Sequence, residues 1–194
     1  MQHSSLQTIR DEHASLAAML HSLRMMLKRG PAADTQQFFD VLRAMLFYID
    51  EFPERLHHTK ETELLFPRVL KADPSVHQAV QRLDQDHQKS EAGVRELQHL
   101  LTAWELLGES RRQVFEDYCI RYLDAYMEHM QLEESVVLPA AQKSLSPSDW
   151  QELDAAFAQN ADPLNGNLVR DPVYDRLYSR IVNTAPAPIG LGRA

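Results

Sequence analysis

The chain is poor in the features that mark most other protein classes. Cysteine occurs once, at Cys119, so no internal disulfide can form and a reducing, cytoplasmic setting is expected. That residue reads as a buried small hydrophobe, since nothing in the sequence supplies it with a redox partner. Glycine is scarce, with six in 194 residues, and strand-type alternation is almost absent, which leaves an all-α protein. No apolar run approaches the ~20 residues of a membrane span, and the N-terminal stretch lacks the apolar segment of a signal peptide. No membrane partner is therefore expected. Basic stripes are missing too: the net charge is -8, which argues against a nucleic-acid partner. What remains, 44% hydrophobic and 25% charged residues, suits one globular domain with a real core.

Against this plain background one motif occurs twice, 72 residues apart. His57-His58-Thr59-Lys60-Glu61 runs on through Leu64-Leu65-Phe66 to Pro67. His129-Met130-Gln131-Leu132-Glu133 runs on through Val136-Val137-Leu138 to Pro139. Residues i and i+4 share a helix face, so each copy aims an imidazole and a carboxylate the same way. A mixed His/carboxylate set suits iron, manganese or zinc.

Periodicity places these motifs on helices. A first helix is expected over about 5–29, with an apolar stripe Leu6, Ile9, His13, Leu16, Leu20, Leu23 and Leu27, ended by Gly30-Pro31. A second runs over about 34–71 and is expected to break or kink at Pro53; His57 adjoins its stripe at Leu56. Asp73-Pro74 opens a third helix carrying Val76, Val80, Leu83, His87, Ser90, Val94, Leu97 and Leu101. After Gly108 a fourth covers about 110–144, with the stripe Val114, Tyr118, Tyr122, Ala125, His129, Leu132 and Val136. Ser146-Pro147-Ser148-Asp149 then starts a short helix over about 150–159, followed by a loop over 160–167, a second short helix over about 173–182 and an extended tail over 185–190. Two units follow: a bundle over 1–145 and a C-terminal helical extension over 146–194, packed on the bundle or projecting from it.

The heights of the histidines agree. In an up-down bundle, residues at one level lie symmetrically about each turn. The midpoints of His13/His57, His57/His87 and His87/His129 fall at 35, 72 and 108, beside the three expected turns. Asp11-Glu12-His13 also matches Gln85-Asp86-His87, so the bundle reads as two helical hairpins related by a pseudo-twofold axis. The candidate metal ligands are His13, His57, Glu61, His87, His129 and Glu133. Four imidazoles and two bridging carboxylates would serve two metals and leave an open position on each. His3, His21, His77 and His99 read as solvated. His58 points about 100° away from His57 in a regular helix, and would touch the ligands only from outside.

These motifs (DEH at 11–13, HHTKETELLFP at 57–67, DQDH at 84–87, HMQLEESVVLP at 129–139) make the chain resemble the hemerythrin-like, or HHE cation-binding, family over about 3–144. The set is most similar to the bacterial type with four histidines. The resemblance implies an antiparallel up-down four-helix bundle holding two iron ions with a bridging oxo or hydroxo group, bound by the six residues above. Manganese and zinc accept the same donors. One departure stands out: oxygen carriers of the family have five histidines, two of them four residues apart on the third helix, whereas Leu83 and Glu91 flank His87 here. Glu91, Tyr122 or Tyr126 could supply a further ligand, and Glu134 is a rival to Glu133.

The implied function is non-enzymatic binding or sensing of a small diatomic ligand such as O2 or NO, or of iron and redox state, in a protein that could form a homodimer. The rivals are a di-iron oxidase or peroxidase-like enzyme, a factor that repairs iron centres under nitrosative stress, and a bundle without metal. The last would bury four histidines and two glutamates with no charge partner.

Overall fold

The computed structural model describes residues 3–31, 34–160 and 174–192. Among them the regular structure is helical. The first rod is α1 (Ser4–Arg29), whose expected stripe is buried from Leu6 to Leu27. The second rod combines α2 (Thr35–Ile49), a π-helical stretch Asp50–His57, α3 (His58–Lys60), a second π-helical stretch Glu61–Leu65, and α4 (Phe66–Ala72). Asp73 caps a 3₁₀ turn, Pro74–Val76, that leads into α5 (His77–Leu107). The fourth rod holds a 3₁₀ turn, Glu109–Arg111, then α6 (Arg112–Leu132), a π-helical stretch Glu133–Val137, and α7 (Leu138–Ser144). Gly30 (φ 70) and Gly108 (φ 84) end the first and third rods in the left-handed region, where a side chain would be strained.

Contacts run α1 to α2, α2 to α5, α5 to α6 and α6 back to α1, so the four rods close into the expected antiparallel bundle. No helix among the described residues is long and apolar enough to cross a membrane.

One expectation is refined and one needs correction. At Pro53 the α-helix is interrupted as expected, but by a π-helical stretch that keeps the rod helical. Proline cannot donate a hydrogen bond and would clash with the carbonyl four residues back; widening to a π turn relieves the clash. The stripe assigned to the fourth rod is also rotated: Val114 and Ala125 are exposed, while Phe115, Cys119, Tyr122, Leu123, Tyr126, His129 and Met130 are buried.

The core is split. One apolar half packs the ends of α1 and α5 with α4 and α7, from Leu6 to Ala141. The other packs the remainder of α1 and α5 with α2 and α6, from Leu16 to Met130. Between them lies a slab of buried polar residues: Glu12, His13, Glu54, His57, His58, Glu61, His87, His129 and Glu133.

The C-terminal segment touches both halves. α8 (Pro147–Phe157) starts with the expected capping box, Ser146 with Asp149, and adds Trp150, Leu153 and Phe157 to the first half. Ser5 holds it through N–H and Oγ bonds to Asp154 Oδ1, at 2.7 and 2.6 Å. α9 (Asp175–Thr184) packs on α2 and buries Ile181 in the second half. The loop expected over 160–167 lies outside the described residues apart from Asn160. The tail expected to be extended instead turns back: Ser22 Oγ donates to Pro186 O (2.8 Å) and accepts from Ile189 N–H (3.1 Å).

Candidate metal centre

The six residues singled out by spacing meet inside the polar slab, with His58 beside them. Two groups of donor atoms form: His13, His57, Glu61 and Glu133, and His58, Glu61, His87 and His129. Within each group the atoms lie within 4.8 Å of one another. Glu61 belongs to both. Its Oε1 lies 2.9 Å from His57 Nε2, and its Oε2 lies 3.4 Å from His87 Nε2. Glu133 approaches only the first group, with Oε2 3.4 Å from His13 Nε2. In each group two imidazoles converge through Nε2: His13 and His57 at 3.1 Å, His87 and His129 at 3.2 Å.

Local helix geometry sets this convergence. In both motif copies the carboxylate begins a π turn: Phe66 N–H bonds Glu61 O, and Leu138 N–H bonds Glu133 O, each five residues back. Pro67 and Pro139 follow at once and cannot supply the α-helical bond that a regular turn would need. Such single π turns concentrate at functional sites. The same widening around Pro53 explains His58. His58 N–H bonds Pro53 O rather than the carbonyl four residues back, and both His57 and His58 face inward. A regular 100° step placed His58 outside, which is why sequence reasoning missed it; Pro53 four residues before His57 was the available signal.

Outer partners fix the rings. His57 Nδ1 lies 2.8 Å from Glu12 Oε2, His13 Nδ1 2.8 Å from Glu134 Oε1, and His87 Nδ1 2.8 Å from Thr62 Oγ1. A carboxylate that accepts from Nδ1–H leaves Nε2 free to bind a cation. His58 differs, because both of its nitrogens are engaged. Nδ1 lies 3.0 Å from Glu54 Oε2, and Nε2 lies 3.0 Å from the Tyr126 hydroxyl. Ser90 and Tyr122 also donate to Glu54, at 2.9 and 3.1 Å.

Electrostatics separate the groups further. Burial opposes a charge on His13, but Glu133 and Glu134 outweigh it and raise the pKa to about 9. His57 is also held well above the usual histidine range, burial being overcome by Glu61 and Glu12. In the second group burial, then His87, lowers His58 well below that range and His129 to about 3. Burial opposes the Glu61 charge as well, yet His57 and His87 keep this carboxyl well below its ordinary range. Burial and the Glu61 charge push Glu133 up to about 7. Glu54 rises to about 7 through burial.

The arrangement fits metal ions. All four carboxylate oxygens of Glu61 and Glu133 are buried, and none has a hydrogen-bond partner; even the 2.9 Å contact to His57 lacks hydrogen-bond geometry. Buried carboxylate oxygens left without hydrogen-bond partners cost about 1–3 kcal/mol or more, even beside charged histidines. Cations among the convergent Nε2 atoms would satisfy them, and this mixed donor set suits iron, manganese or zinc.

The remaining candidates sort cleanly. Glu91 lies at the surface, paired with Arg95 at 2.6 Å. Tyr122 reaches Glu54, and Tyr126 reaches His58. Glu134 contacts His13 from the outer side and is 44% exposed. His21, His77 and His99 are exposed, whereas His3 stacks on Trp150 at 4.1 Å.

A cavity of about 100 Å³, lined by His58, Ser90, Tyr122, Tyr126, His129 and the exposed Lys89, opens beside the second group. Beside His13 and His57 the free space is about 10 Å³, no more than a single water needs. A broad surface groove between α1 and α6 also touches His13, at the outer edge that Glu134 covers.

No curated protein matches the chain. A family model, described as the hemerythrin HHE cation binding domain, matches residues 4–141, which include every residue of both donor groups. The match spans most of the chain and its bundle, so the chain belongs to the hemerythrin HHE cation-binding domain family and is a metal-binding protein.

Proposed function

We propose that this protein is a non-haem di-iron protein that binds or senses a small diatomic ligand such as O2 or NO. The observation that carries this reading is Glu61. One fully buried carboxylate turns one oxygen to each histidine group, and neither oxygen has a hydrogen-bond partner. His13, His57, Glu133 and Glu61 would hold the first ion; His87, His129 and Glu61 would hold the second. Iron at these positions would supply reversible redox chemistry and a vacant position for a ligand.

The chain's own residues do the rest. Glu12, Glu134 and Thr62 orient the rings, and the apolar halves on either side exclude bulk water. Room for a diatomic molecule exists at the second group, in the cavity of about 100 Å³. There the Tyr126 hydroxyl, held by the neutral His58 ring, is the polar group that can hydrogen-bond a guest.

The test is metal content per chain, with the visible spectrum recorded before and after deoxygenation and re-aeration. Two irons with charge-transfer bands that bleach and return support reversible binding. Two irons that stay oxidised after one exposure to air favour a redox sensor, a repair factor or an oxidase. No stoichiometric metal after reconstitution with ferrous iron refutes the proposal.

A further inference from the structure

The family match ends at residue 141, yet one of the groups that fix the first histidine pair comes from beyond it. Asn160, just after α8, is almost fully buried. Its Nδ2 donates to Glu12 Oε1 at 2.7 Å, and the other oxygen of that carboxylate lies 2.8 Å from His57 Nδ1. Lys60, one residue before Glu61, donates to Asn160 Oδ1 and, at 2.9 Å, to Ala156 O. Phe157 sets its ring edge-on to His57, with centroids 6.5 Å apart. The end of α8 therefore lies directly over the first pair. Among the described residues nothing comparable covers the second pair: Thr62 holds His87 and Glu54 holds the neighbouring His58, both from within the bundle.

We propose that the α8 segment completes the metal centre: Asn160 is a positioning residue that fixes His57 through Glu12, and the segment specifically strengthens binding of the first ion. A carboxylate bonded on both oxygens has one orientation, so it presents one fixed acceptor to Nδ1–H and fixes the direction of Nε2. Losing the Asn160 donor frees Glu12 to rotate and leaves a buried acceptor short of a partner.

This inference rests on the metal-binding reading above, and the experiment separates the two. Full-length wild type and Asn160→Ala are titrated with cobalt(II) against a competing chelator, with visible absorption reporting each filled subsite. Melting temperatures are measured with and without metal. If the wild type takes up no cobalt, the metal-binding reading itself fails. If it fills both subsites, Asn160→Ala is expected to weaken one of the two ions by roughly 10–100-fold and leave the other unchanged, beyond the lowering of the metal-free melting temperature that the lost hydrogen bond itself brings.

Asn160→Asp is nearly isosteric and keeps the acceptor for Lys60 but not the donor to Glu12; it should give the same split if the alanine variant does not fold. Lys60→Met removes the donor that holds Asn160 Oδ1 and should weaken the same ion, by less than Asn160→Ala does. Unchanged constants in both Asn160 variants, equal weakening of both ions, or a loss of metal-free stability that accounts for the whole effect would overturn the proposal.

Discussion

The two halves of the metal centre share a motif and differ in almost everything around it. The first pair, His13 and His57, is tightly packed, with only the outer edge of His13 at a surface groove. Glu12 and Glu134 hold its outer nitrogens, Phe157 and Asn160 cover it, and about 10 Å³ of space remains. The second pair, His87 and His129, borders a cavity of about 100 Å³ and a satisfied network of His58, Tyr126, Glu54, Ser90 and Tyr122. The repeat thus supplies two sets of donors, and on the proposed reading the residues around them make one subsite a holding site and the other a ligand-facing site.

The strongest challenge to this division is Glu61, the one donor common to both groups. Glu61→Ala should drop metal content from about two ions per chain to below about one, because both subsites lose a charged ligand together. Glu133→Ala should cost only the ion at the first pair, leaving about one. Metal analysis after gel filtration decides. Equal losses in the two variants would mean that both carboxylates bridge.

His13→Ala and His87→Ala sharpen the comparison. Each should leave about one ion per chain, with different residual cobalt(II) spectra because different pairs survive. Identical spectra would show that the two subsites cannot be filled independently.

Much of this was legible in the sequence. The H-x-x-x-E spacing, the turn midpoints and the repeat picked out six residues that the fold brings together, because side-chain direction along a helix is fixed by its period. The bundle followed from the stripes of α1 and α5, which are buried as expected. The fourth rod was read about one residue out of phase, since Phe115, Cys119 and Leu123 compete with Val114 and Tyr118 for the same apolar pattern. His58 was hidden for a different reason: a π turn changes the angle per residue, and Pro53 read as a break rather than a widening. Asn160 could not be found at all, because nothing local links it to Glu12, 148 positions away in the chain.

The protonation of the metal-free site gives a third contrast. His13, raised to about 9, holds its proton at neutral pH, whereas His129, lowered to about 3, does not. An ion entering the first pair must displace the protons of both His13 and His57, whereas His129 in the second pair carries none. Apparent affinity at the first pair should therefore fall as pH drops below about 9, by up to about tenfold per pH unit for each displaced proton, and more steeply than at the second pair. Chelator competition at pH 6, 7, 8 and 9 measures both slopes. Parallel slopes would place the proton load on the centre as a whole.

The smallest expected effect concerns ligand binding rather than metal. Both nitrogens of His58 are already engaged, by Glu54 and by the Tyr126 hydroxyl, so the second ion does not depend on this ring. His58→Ala and Tyr126→Phe should therefore keep about two ions per chain. The hydroxyl also lines the cavity, and a guest there would lose its hydrogen bond in Tyr126→Phe and lose the positioned hydroxyl in His58→Ala. A lost bond of about 1 kcal/mol corresponds to a roughly fivefold weaker ligand. Nitric oxide or azide titrations of the iron-loaded protein, followed by absorption, measure this shift. Unchanged titrations in both variants would show that a guest does not bind against the Tyr126 hydroxyl.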